Sequence, residues 1–102
     1  MQFVVSLVIN PAKANVPPSR ELIEAEFEAV RGHYMNGVLR QIWLRADGTG
    51  GVILAEADTA ASVSKTFSTL PMVRAGVLKA PEIIPLVPYW GFAPLMGPSD
   101  DE

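Results

Sequence analysis

At 102 residues, with 49% hydrophobic and 19% charged side chains, the chain is long enough for one core, too short for two, and well outside the disordered range. Its net charge of −3, with eight basic residues scattered singly, argues against nucleic-acid binding, and the absence of cysteine beside a single histidine excludes zinc and iron–sulfur signatures and any disulfide framework. No apolar run reaches the roughly 20 residues that span a bilayer, and 3–9 lacks the basic flank of a secretory signal, so a cytoplasmic domain with no membrane partner is expected.

Residues 2–9 are rich in β-branched side chains and neither face is clearly polar, which predicts a strand buried on both sides. Asn10-Pro11 ends it. After Val16-Pro17-Pro18, Ser19 is placed to cap a helix in which Ile23, Phe27, Val30 and Tyr34 form one apolar stripe, stopped by Asn36-Gly37. Residues 38–46 read as a second strand, with Leu39, Gln41, Trp43 and Arg45 on one face. Asp47-Gly48-Thr49-Gly50-Gly51 is a hairpin turn into a third strand over 52–57. Asp58 or Thr59 caps a second helix with Ala60, Val63, Phe67 and Leu70 inward, and Pro71 ends it.

The apolar run 70–92 then predicts a fourth strand over about 77–87. Pro81 and Pro85 each lack a ladder donor, so its outer side belongs at an edge or at bulges. An aromatic exit follows (Tyr89, Trp90, Phe92), then an acidic, partly flexible tail over 93–102. The order is β-α-β-β-α-β over 1–92, a ferredoxin-like α+β sandwich. Two helices cover one face of a four-stranded sheet, yet the first and last strands are apolar on both. A homodimer, sheet against sheet, is therefore expected.

His33 is the one side chain that ordinarily titrates near neutrality, and Glu26 lies seven residues earlier on the same side of the helix, about 10 Å away by the helical rise. A small substrate fits between them; the competing reading leaves both on a solvated flank. Arg45 beside Trp43 suits a carboxylate anchor against an aromatic wall. Glu56 closes the third strand and acts as a general base if desolvated. Arg74 can reach a pocket mouth or a neighbouring subunit. Tyr34 offers its hydroxyl from a buried ring. Tyr89 and Trp90 either lid the pocket or, the favoured reading, cross a partner.

Three short motifs recur in order: Gln41-Ile42-Trp43, the Gly50-Gly51-Val-Ile-Leu segment leading to Asp58, and Leu70-Pro71 followed by Ile84-Pro85-Leu86. On these the chain resembles the muconolactone isomerase family. The resemblance implies a dimeric α+β barrel, often in larger ring-like homo-oligomers, and a cofactor-free proton shift on an unsaturated lactone bearing a carboxylate. In this chain Leu44 separates Trp43 from Arg45, and Met72-Val73-Arg74 follows the Leu-Pro turn where the enzymes carry aromatics. A cofactor-free cyclase or monooxygenase of the same architecture, or a non-catalytic ligand-binding module, are the alternatives.

Overall fold

The computed structural model describes residues 1–91; Phe92 and the expected tail over 93–102 lie outside the described residues. Seven elements follow in chain order: β1 (Gln2–Val8), α1 (Arg20–Met35), β2 (Leu39–Leu44), β3 (Gly50–Glu56), α2 (Ala60–Ser68), α3 (Pro71–Arg74) and β4 (Glu82–Pro85). The sheet runs β2-β3-β1-β4 with every neighbouring pair antiparallel. This is a ferredoxin-like α+β sandwich, with one extra turn of helix, α3, before β4.

Alternation along the strands places the core. Phe3, Val5 and Leu7 of β1 point to the helix side with Ile53 and Ala55 of β3, and Leu39 joins them from β2. Val63 and Phe67 of α2, with Leu70, close over them. Each large apolar side chain buried there contributes roughly 1.5–3 kcal/mol. The two longer helices, α1 and α2, start on side-chain caps: Ser19 Oγ accepts from the Leu22 N–H at 3.1 Å, and Thr59, not Asp58, accepts from the Ser62 N–H at 3.1 Å. Such a cap stabilises by about 1 kcal/mol.

The hairpin between β2 and β3 is set by Asp47, whose carboxylate accepts from both the N–H and the hydroxyl of Thr49, at 3.0 and 2.6 Å. Those bonds hold its carboxyl below the usual range. Gly50 adopts φ +156, and a Cβ there would collide with the carbonyl of Leu7. Gly50→Ala is expected to cost about 3 kcal/mol, because relief requires either a strained backbone or separation of β1 from β3. Urea denaturation measures this; an unchanged midpoint would mean the two strands do not approach so closely.

Three expectations need correction. A bulge at Arg40 shifts the β2 register, so Leu39 faces the core opposite Ala55 while Gln41 and Trp43 face the other way, opposite Leu54 and Val52. One inserted residue reverses every side chain after it. Pro71 begins α3 rather than ending α2. The fourth strand has four residues, not eleven: only Glu82–Pro85 pairs with β1, preceded by an isolated bridge between Ile9 and Leu78. It is an edge strand, as Pro81 and Pro85 require, and past it the Leu86 N–H still donates to the Gln2 carbonyl at 3.0 Å.

The other sheet face carries Val4, Trp43, Val52, Leu54 and Ile84, with Gln2, Glu56 and Glu82 toward its ends. No helix packs on it among the described residues. Among the described residues no helix is long and apolar enough to cross a membrane.

Candidate active site

The helices divide the inner face of the sheet: α2 lies over β4 and α1 over β2. Under α1 the packing is incomplete, and a cavity of about 700 Å³ opens there. Its size falls within the range of small-molecule sites. Leu7, Ile42 and Gly51 form its floor, and Glu26, Phe27 and Val30 of α1 its roof. The glycine explains part of the void: Gly51 occupies an inward position between Leu7 and Leu44, where any other residue would project a side chain. The walls are overwhelmingly apolar.

Glu26 stands out in this setting. It is 9% exposed, the one buried charged residue among those described. Its Oε1 accepts from the Met72 N–H of α3 at 2.9 Å. Burial pushes its carboxyl above the usual carboxylate value; the Met72 hydrogen bond and the charge of His33 pull back, and burial wins. A carboxyl so placed is a stronger base than a solvated one and still titrates reversibly, which suits proton transfer.

Glu26 is inward because α1 sits rotated from the expected stripe. Ala29 and Val30 pack on the core and His33 is half-buried against it, whereas Phe27 and Tyr34 are 55% and 60% exposed. The cavity accounts for this: α1 needs few apolar side chains over a void, and Phe27 borders the opening instead of filling it.

The sequence candidates separate into two groups. Glu26, Trp43 and Arg45 all border the cavity. Trp43 meets it from the β2 edge, since its register gives the side chain to the open face, and the Arg45 guanidinium lies 3.8 Å from Asp47. His33 lies outside the cavity wall and packs edge-on against Phe67, ring centroids 5.4 Å apart. Glu56 is on the open face, paired with the amino group of Met1 at 2.6 Å. Tyr34 is at the exposed end of α1 rather than in the core, and Arg74 is exposed at the end of α3. Tyr89 and Trp90 stack with centroids 6.2 Å apart and are both exposed.

Two cavity residues escaped sequence reasoning. Arg31 borders the mouth, and its one signal was its place four residues after Phe27. Lys13 arrives through the single helical turn Pro11–Lys13, which Asn10 caps by accepting from the Ala12 N–H. Nothing in the local pattern points Lys13 to a site 62 residues away, where it donates to the Ala75 carbonyl at 2.9 Å. Among the described residues no group of three His, Cys, Asp or Glu is arranged to hold a metal ion.

Fold and cavity together define a ferredoxin-like α+β domain with a small-molecule-sized pocket between its sheet and first helix. No family model matches the chain, and no curated protein matches it in sequence. Among solved structures it is similar to 5-chloro-2-hydroxyhydroquinone dehydrochlorinase from Burkholderia phenoliruptrix, in complex with 2,5-dihydroxybenzoquinone. The TM-score is 0.66 at 18% identity, over 85% of this chain and 94% of that one. At that identity the likeness shows the fold.

Proposed function

We propose that this chain is a cofactor-free enzyme of the muconolactone isomerase type, moving a proton on an unsaturated, carboxylate-bearing lactone held under α1. The observation that carries the reading is Glu26, a buried carboxyl with a raised affinity for its proton on the wall of an otherwise apolar cavity. Ionised Glu26 removes a proton from a carbon made acidic by the conjugated carbonyl, leaving a dienolate. The same carboxyl, its proton exchanging with solvent in between, protonates a different carbon, and the double bond moves with no net oxidation. Arg45 anchors the substrate carboxylate at the mouth; Trp43, whose side chain faces the open side of the sheet, borders the cavity at the β2 edge only. His33, from the core side of α1, favours the ionised form of Glu26 by its charge. Glu56, Tyr34, Arg74, Tyr89 and Trp90 have no part in this step.

A phenolic or quinoid ring is the second substrate class, favoured by Phe27 at the opening and by the quinone in the solved dehydrochlorinase complex. We also propose that a second copy of the chain covers the open sheet face.

Incubation in D₂O with a carboxymethyl-substituted butenolide, without added cofactor, is expected to place deuterium in the isomerised product. Absence of exchange, with turnover of hydroxylated quinols instead, transfers the site to the second class. Inertness toward both leaves the cavity a binding site.

A further inference from the structure

We infer that Lys13, Arg31 and Arg45 form an anion-binding collar at the cavity mouth, and that the ligand taken there is an organic diacid whose ring points toward Glu26. The inference rests on the reading of the cavity as a substrate site and adds the charge of the substrate to it.

The distribution of charge is the first support. The chain has eleven acidic and eight basic residues, yet three of the eight basic side chains border this one cavity against a single acid. A protein of net charge −3 thus presents a locally positive opening, which raises the local concentration of anions and their rate of entry. The three cations are exposed and Glu26 is buried. The polarity therefore runs from charged mouth to apolar interior, and it orients an amphipathic acid.

Donor capacity is the second. The Lys13 ammonium has three donors and gives one, to the Ala75 carbonyl. Among the described residues Arg31 makes no hydrogen bond or ion pair, unlike Arg20 on the same helix, which pairs with Glu24 at 3.2 Å. The contact of Arg45 with Asp47 is long and solvated, and such pairs are worth little. Two guanidinium forks and one ammonium exceed what a single carboxylate accepts; two carboxylates use them.

Length is the third. Glu26 and Arg31 are five residues apart on α1, roughly 7.5 Å along the axis and about 140° around it, so the buried carboxyl and the exposed guanidinium are set far enough apart to leave room for a ring between them.

Isothermal titration of the intact protein with phthalate, benzoate, benzyl alcohol and inorganic phosphate tests the collar. Phthalate is expected to bind at least roughly tenfold tighter than benzoate, with benzyl alcohol weakest. Arg31→Gln should cost phthalate about tenfold and benzoate less, with Arg31→Lys between the two, because charge is kept and the fork is lost. Unchanged thermal melting checks that the exposed substitution leaves the fold intact. Undetectable phthalate binding at millimolar concentration, equal binding of benzoate, phosphate binding as tight as phthalate, or an unaffected Arg31→Gln variant each overturns the inference. Binding needs no turnover, so an inert protein that still prefers phthalate removes the isomerase reading alone. Deuterium exchange into a monoacid, with indifference to a second charge, removes the collar alone.

Discussion

Replacing Glu26 with Gln is expected to lower kcat on an accepted lactone roughly 10²–10⁴-fold, the usual contribution of a positioned acid–base group, with KM little changed. The substitution is chosen because it separates chemistry from structure. The Gln carbonyl still accepts from the Met72 N–H, so the tie between α1 and α3 survives, while the exchangeable carboxyl proton is gone. A variant that turns over at full rate would reduce Glu26 to a tether for α3.

The same substitution has a signature without substrate. Burial raises the Glu26 pKa above its ordinary value of 4.5, so the folded state binds the proton more tightly than the unfolded state. The stabilisation from this group is therefore fully present below pH 4.5. It declines as pH rises from there through the folded value, and is constant above. Glu26→Gln should lack that decline, so it appears as the difference between the two stability curves. Denaturation of both proteins across the acid range measures it, and parallel curves would count against a raised pKa.

The second large effect concerns assembly. Leu54→Glu is expected to convert a homodimer into a folded monomer. Leu54 lies mid-sheet on the open face, opposite Val4 on one side and Gln41 on the other. In a face-to-face dimer it is desolvated, and an unpaired carboxylate there costs several kcal/mol, enough to dissociate an interface of ordinary size. In the monomer that face meets water, so the fold itself should tolerate the change. Sedimentation velocity at micromolar concentration, with circular dichroism as the folding control, tests it. Wild-type protein that sediments as a monomer would end the dimer proposal, and a Leu54→Glu dimer would move the interface elsewhere.

Element order and sheet class were legible because they depend on local signals: β-branched runs, Ser19 before a helical period, and the Asp47–Gly51 turn. The site was only partly legible. Glu26 was noticed for its spacing to His33, but its burial follows from the rotation of α1, which responds to a void that one helix's sequence cannot display. The Arg40 bulge left no local mark, so the face of Trp43 was assigned correctly with Gln41 but wrongly with Leu39. Fourth-strand length was overestimated because an apolar run records burial potential, not pairing, and Pro81 and Pro85 bound what can pair.

Those prolines also govern what can be added to the sheet. Alternate residues of an antiparallel strand send their backbone groups to opposite sides. Leu86 donates inward to β1, so Ile84 and Glu82 do too, and positions 81, 83 and 85 face outward. Two of these three are proline, which leaves Ile83 as the lone outward N–H on that edge. An incoming strand finds the carbonyls of 81, 83 and 85 but one donor within that stretch, and filamentous growth by edge-to-edge addition is disfavoured at β4.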